Sequence, residues 1–510
     1  MKNIFKLLLF FSAGLLVSCE TELDLNTDPN APEQINSGLA LASAQSSLIT
    51  VTGGDLSNLG GFYAEYHTQA PSASQYETID QYNINSSYAN RIWTELYAGC
   101  LYDLKFVIDD STLKGDTGTA LIGTAMTAYT YQLLVDLFND VPYTEALQGP
   151  ANFTPKTTPG QEIYADLIKR LDAAVATYNA NPVASTVGSQ DNLYRGNVEN
   201  WIKFINTLKL KMYLRMAYTS AANPAAVNAL LAENNFITSD AKFANFGSSL
   251  NQRNPFWEVQ LEYLGDVNNV ASNSLFQFYQ QNGDARIDFV YRKNNADPAV
   301  HAALAQGAGA ALTTTALVYS RPRVNPLAPV YLMTVSESNF LQAEALIRYA
   351  GGAGAQAKYD EGVISSFRTY QADFFDTDYD TPADPGEAIM TPAAAIAAAT
   401  ALVAPGGAYE YQPAGSVEAT LRQVIVQKWA ALAYVNNIES YIETTRTKFP
   451  EIVAEGTENY EIGNRIPSRI SVLSGTTIPS IIFYPDNEVD RNPNITQHSS
   501  LTQKVWWDQK

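Results

Sequence analysis

Apolar residues recur along this chain at intervals of three and four, the spacing that lines one face of an α-helix. Ile122, Ala125, Met126, Tyr129, Leu133 and Leu137 form one such stripe, and Tyr164, Leu167, Ile168, Leu171, Ala174, Val175 and Tyr178 a second. Trp201, Phe204, Ile205, Leu208 and Met212 make a third, and Leu421, Val424, Ile425, Trp429 and Leu432 a late one. Trp93, Leu96, Tyr97, Cys100, Leu101 and Leu104 follow the same spacing, which predicts a buried Cys100 acting as a small hydrophobe. Thr334-Val335-Ser336-Glu337 predicts a helix start with a capping box, in which Glu337 reaches back to the Thr334 amide. Glu344 and Arg348, four apart, are placed to pair for a few tenths of a kcal/mol.

Between the stripes lie segments rich in Gly, Asn, Ser and Pro, roughly 179–196, 245–275, 292–330, 373–416 and 450–500. Loops of this length carry function or cover the core. No strong strand alternation is present, although short hairpins fit within the loops. Helices arriving in pairs predict an all-α fold of tetratricopeptide-like helical hairpins joined to a long-loop, irregular half. The repeat period is not clean, and the usual repeat consensus is absent.

The first residues have a different pattern. Lys2 and Lys6 precede an apolar run from Leu7 to Val17 that is too short to span a bilayer, which takes ~20 residues. It ends in Leu16-Val17-Ser18-Cys19, which resembles a bacterial lipobox. Residues 1–18 therefore read as a lipoprotein signal peptide cut before Cys19, whose thiol takes the lipid. Each buried CH₂ contributes ~0.8 kcal/mol, so two or three acyl chains hold permanently. Residues 19–36, with Glu20, Glu22 and Asp24, read as an acidic tether, and 37–510 as a single domain.

The chain has 510 residues, with 32 Lys and Arg against 52 Asp and Glu, a net charge of -20. That balance argues against a nucleic-acid or anionic-lipid surface, both of which need clustered cations. With Cys19 lipidated, only Cys100 is left, so no disulfide framework is available.

Candidate chemistry is sparse. His67, His301 and His498 stand in unrelated segments without metal-ligand spacing, and neither a G-x-S-x-G elbow nor a Gly-rich phosphate loop occurs. No enzyme is expected, and no cofactor is required. Asp376, Asp378, Asp380, Asp384 and Glu387 match positions 1, 3, 5, 9 and 12 of a calcium loop, and structural Ca²⁺ is one reading. Thr381 replaces the glycine at the sharp turn and prolines stand at positions 7 and 10, so a solvated acidic loop is the other reading.

Aromatic residues bear more on function. Tyr76, Tyr82 and Tyr88 fall in a polar loop without helical spacing, as do Trp257 and Tyr263 after Asn254-Pro255. These five are the candidate ligand-binding residues. A ring face covering ~40 Å² of sugar gains ~1 kcal/mol, so two or three rings with a few hydrogen bonds give roughly millimolar to micromolar capture.

Several stretches, in order, resemble the SusD/RagB family of outer-membrane nutrient-binding lipoproteins, in its second, SusD-like branch. They are Leu25-Asn26-Thr27-Asp28-Pro29-Asn30-Ala31-Pro32, Asp136-Leu137-Phe138-Asn139-Asp140-Val141-Pro142-Tyr143-Thr144-Glu145-Ala146 and Trp201-Ile202-Lys203-Phe204-Ile205-Asn206-Thr207-Leu208-Lys209-Leu210. Met333-Thr334 through Ala343-Glu344-Ala345, Gln427-Lys428-Trp429, Phe483-Tyr484-Pro485-Asp486-Asn487-Glu488 and Trp506-Trp507-Asp508 follow. Asn139 departs from the family's glycine, a modest change because both tolerate left-handed backbone.

The resemblance implies a cell-surface lipoprotein of the outer membrane that binds oligosaccharides or, in other members, peptides. It also implies a SusC-like, TonB-dependent barrel as partner, over whose mouth the lipoprotein closes as a lid. The acidic tether resembles the leader of surface-delivered Bacteroidetes lipoproteins. A non-catalytic helical-repeat scaffold remains the alternative from another class.

Overall fold

A computed structural model describes residues 35–296, 298–374 and 390–510. Cys19, nearly all of the tether and the acidic loop 376–387 lie outside the described residues.

Each apolar stripe lies on a helix. The first half holds α1 (Ser37–Gly53), α2 (Asp55–Tyr63), α3 (Tyr102–Lys114), α4 (Thr117–Phe138), α5 (Gly160–Ala180), α6 (Val198–Arg215) and α7 (Pro224–Glu233). The second holds α8 (Asn273–Gln281), α9 (Val335–Tyr349), α10 (Ala355–Asp373), α11 (Pro392–Val403), α12 (Val417–Ala431) and α13 (Asn437–Thr447). Side-chain caps start many of them. Asn36 accepts the Leu39 amide at 2.9 Å, Asp116 that of Thr119 at 2.8 Å and Thr334 that of Glu337 at 3.0 Å, satisfying donors the helix itself leaves free.

The helices share two large apolar cores. Leu48, Leu134, Trp201 and Trp507 belong to one, and Phe340, Tyr370, Leu421 and Trp429 to the other. Close crossings use glycine. A Cβ on Gly362 of α10 would lie 2.7 Å from the Phe340 ring of α9, so any larger residue would force these helices apart. Cys100 is buried on a π-helical turn, Glu95–Leu101, 3.4 Å from Thr130 Oγ1. Burial pushes its thiol up to about 12, so it stays protonated.

The structure corrects three sequence expectations. Glu337 does not reach back to close a capping box. It is buried, with Oε1 2.7 Å from Lys211 Nζ. Glu344 does pair with Arg348, at 2.7 Å, but it is buried and also takes Arg446 at 2.7 Å, so it is no weak surface contact. Part of the supposed loop 373–416 is the helix α11. Its alanines give little hydrophobic contrast yet favour helix strongly, and Ala395, Ala399, Leu402 and Val403 are buried.

Glu337 and Glu344 belong to a larger buried ion network between helices. Arg215 of α6 meets Glu439 of α13 at 2.9 Å, Asp136 of α4 at 3.3 Å, and Glu443. Lys428 of α12 lies 3.0 Å from Glu443, and Arg446 binds Glu443 at 2.7 Å. The C-terminal segment closes it, because Trp507 Nε1 donates to Asp136 at 2.8 Å.

Strands are short and antiparallel: β1 (His67–Gln69) with β5 (Asn269–Ala271), β2 (Val141–Pro142) with β3 (Thr157–Thr158), β4 (Ala241–Phe243) with β8 (Val330–Met333), and β6 (Tyr291–Arg292) with β7 (Arg321–Pro322). β1–β5 and β4–β8 join segments far apart in sequence. They staple long loops together instead of forming local hairpins.

Candidate functional site

The β1–β5 staple assembles the site. It pairs Gln69 with Asn269 and Thr68 with Val270, and Ala70 N–H reaches Asn268 O at 2.7 Å. Loop 70–90 and segment 253–268 are thereby brought side by side, although they are remote in sequence.

Tyr76 is half-buried on this face, its ring edge-on to Phe62 at 5.9 Å and its hydroxyl beside the Gln260 side chain. Burial raises the Tyr76 pKa, so the phenol is a neutral donor. Tyr88, also half-buried, donates to Asp55 O at 3.1 Å. Asp55 begins α2 and has Arg91 Nη1 3.4 Å from its Oδ2. Burial raises its carboxyl pKa, against the pull of Arg91. Asp55 Oδ2, apart from the long ion pair to Arg91, and Gln260 Oε1, beside the Tyr76 hydroxyl, are buried acceptors that make no well-formed hydrogen bond in the protein. Such atoms are costly to leave unmade and favour a ligand that brings O–H or N–H donors.

Gln260 sits on a second π-helical turn, Trp257–Tyr263, which carries the other two candidates. Trp257 is half-buried, with the Arg253 guanidinium 5.0 Å from its ring centre. Arg253 is held in turn near Glu258 at 3.5 Å and Glu262 at 3.6 Å. Tyr263 is 84% exposed, and Val259 and Val267 beside it are exposed as well. Arg321 to Asp266 at 2.9 Å pins the far end of the segment.

Tyr82 does not share this exposure. It is 1% exposed, edge-on to Tyr63 at 5.5 Å within the core, so no ring face is open to a ligand. Its left-handed backbone, φ 57°, turns the chain inward after the short helix Glu77–Asp80. Tyr76 and Tyr88 are brought together with Asp55 and Gln260, while Trp257 and Tyr263 share the π-helical turn that carries Gln260. Asp55, Arg253 and Gln260 are neighbours of the candidates that the sequence did not single out. Arg253 precedes Asn254-Pro255 and could have been noticed there; Gln260 had no signal of its own.

Elsewhere, His67 is buried and stacked on Tyr434, with burial lowering its pKa to about 3. Among the described residues no group of three or more His, Cys, Asp or Glu is placed to hold a metal ion. A cavity of about 160 Å³ opens at the start of α1, between Ser37, Lys114, Asp116 and Gln190, and none of the five aromatic candidates lines it. Among the described residues no helix is long and apolar enough to cross a membrane.

A family model described as "SusD-like_2: Starch-binding associating with outer membrane" matches residues 29–472. Solved structures share the fold. A SusD/RagB family protein from Bacteroides thetaiotaomicron is 22% identical, covering 93% of this chain and 99% of that one with a TM-score of 0.74. A chitin-binding SusD homolog from Flavobacterium johnsoniae is 19% identical, covering 92% and 98% with a TM-score of 0.72. A further structure titled a chitin-binding protein is 21% identical, covering 93% and 100% with a TM-score of 0.71. A search of curated proteins finds no match.

Proposed function

The chain belongs to the SusD-like family, associated with the outer membrane and with nutrient binding, and from that premise we propose that it captures oligosaccharides on the loop face. Tyr76, Tyr88, Trp257 and Tyr263 offer ring surface, while Asp55 and Gln260 accept from sugar hydroxyls or amides. The observation that carries this reading is the exposed ring of Tyr263 on the turn that carries Gln260, together with two buried acceptors, Asp55 Oδ2 and Gln260 Oε1, that make no well-formed hydrogen bond within the protein. Capture is non-covalent and weak, roughly millimolar to micromolar, which suits a protein that must release its cargo.

In this reading Cys19 carries the lipid, the tether holds the body at the cell surface, and the protein closes as a lid over a SusC-like, TonB-dependent barrel. Chitin oligomers are the first ligands to test, because two structural neighbours bear that name. Calorimetry of the purified protein against chitin, starch and other plant-glycan oligomers and short peptides discriminates the classes. Heat from a glycan supports the reading. Heat from peptides alone selects a peptide binder, and no heat from any of them favours a scaffold. Co-purification of a TonB-dependent barrel with the tagged protein from its own membranes tests the lid; its absence counts against that part. The calcium reading of Asp376, Asp378, Asp380, Asp384 and Glu387 is tested by the change in melting temperature on chelation.

A further inference from the structure

Loop 70–76 pairs with no strand, yet its position decides where Tyr76 stands. The residues at its base are gathered by one carboxylate. Asp80, fully buried, accepts through Oδ2 from Thr68 Oγ1 at 2.6 Å and from the Gln69 amide at 3.0 Å. Through Oδ1 it accepts from Gln306 Nε2 at 2.6 Å. Thr68 Oγ1 in turn accepts the Gly307 amide at 2.9 Å, locking the turn that follows Gln306. The turn requires glycine, since Gly307 has φ 73° and a Cβ there would lie 2.4 Å from Ser468 Oγ.

Gln69 passes the constraint to the face. Its Oε1 accepts the Tyr76 amide at 2.7 Å, and its Nε2 donates to Asn268 O at 3.0 Å. A residue that receives three donors and makes none must be an acceptor on both atoms. A carboxylate is; an amide of the same shape would aim N–H at a donor. Burying that charge among neutral donors is expensive, so the arrangement calls for a return beyond packing.

We propose that Asp80 is the positioning residue of the capture face, closing the 70–80 loop on Thr68 and Gln69 and tying it to the turn at Gln306 and Gly307, so that Tyr76 is presented to the ligand while Asp80 touches none. The ligand arm rests on the capture reading above; the structural arm does not. Burial pushes the Asp80 carboxyl up to about 6. The groups that face it are Glu65, raised by burial to about 7, and Tyr82, with Arg465 beside Glu65 and Tyr82. His67 on the adjoining strand stays neutral. The carboxylate is therefore the working form near pH 8, and the protonated acid, which resembles an amide, near pH 5.

The test is hydrogen exchange of the whole protein and its Asp80→Asn variant at about pH 8 and about pH 5, each corrected for intrinsic rate. Exchange of the Gln69, Tyr76 and Gly307 amides should quicken about tenfold or more at the higher pH, with α1 and α12 unchanged, and the difference should shrink at the lower pH. Affinity for the hexamer of N-acetylglucosamine should fall about tenfold at the higher pH, and the loss should not add to that of Tyr76→Ala. Unchanged exchange in the loop, or additive losses, would overturn the proposal. If Asp80→Asn does not fold, Gln306→Met removes the Oδ1 arm while leaving the Oδ2 arm to Thr68 and Gln69 in place. It also loses the longer Gln306 contacts to Phe62 O and His67 O, and quickened exchange at Gly307 is the result expected of it. If wild-type protein binds no oligomer, the capture reading fails and the exchange result alone decides the role of Asp80.

Discussion

Between the helices, Asp136, Glu337, Glu344, Glu439 and Glu443 face Lys211, Arg215, Arg348, Lys428 and Arg446, as many cations as acids. Beneath the loop face, Glu65 and Asp80 are just as buried, but only Arg465 stands beside Glu65, and Asp80 is held by neutral donors. Cations win in the first cluster at Glu344, Glu439 and Glu443, whose carboxyls are lowered despite burial. Asp136 and Glu337 go up there because burial outweighs the cations near them. In the second cluster burial wins at both acids. The helices are thus fixed by charge balance that persists at neutral pH, whereas the loop face is fixed by hydrogen bonds whose strength depends on a proton.

The largest expected effect breaks the helical side of this comparison. Arg446→Ala leaves Glu344 and Glu443 buried and short of a partner, and should cost ~3–5 kcal/mol in urea unfolding. A loss under ~1 kcal/mol would mean the network is incidental.

A comparable effect sharpens the loop side. Glu65 and Asp80 have folded pKa values above their unfolded ones, so their stabilising contribution is complete below about pH 4 and is lost as pH rises through about 6 to about 7. Unfolding free energy should therefore fall by roughly 4 kcal/mol from about pH 5 to about pH 8, and the fall should be shallower in Glu65→Gln. The lowered Glu344, Glu439 and Glu443 act in the opposite sense, withdrawing stability only as pH drops below about 4. An equal slope in the variant would remove Glu65 from the account.

The smallest effect on stability belongs to the exposed rim. Tyr263→Ala should change unfolding free energy by no more than ~0.5 kcal/mol, because the ring covers little. A loss above ~2 kcal/mol would show that Tyr263 packs and does not wait for a ligand.

The helices were legible because stripes such as Tyr164 to Tyr178 repeat with the helical period, whatever the stripe packs against. The ion network was not, since Lys211 or Lys428 on a helix reads as a solvated charge until the neighbouring helix is known. Glu337 was misread for the same reason: its spacing from Thr334 fits a cap, and only the arrival of Lys211 pulls it inward. On the loop face, aromatic residues in polar loops made Tyr76, Tyr88, Trp257 and Tyr263 candidates, and the structure leaves Tyr263 largely exposed and the other three half-buried. The depth of a loop has no sequence signature, so Tyr82 could not be told from its neighbours. Asp55, Gln260 and Asp80 stayed hidden because the staple between β1 and β5 is three residues a side, too short for any alternation to register.

Calorimetric titration of wild-type protein and the Trp257→Ala, Tyr263→Ala double variant with the same glycan oligomers tests the capture face most directly. Wild type should bind in the millimolar to micromolar range, and the double variant should lose about tenfold or more. Both proteins should still unfold cooperatively in urea, with some stability lost in the variant because Trp257 packs on the core. Equal binding by both proteins, with their folds intact, would contradict it.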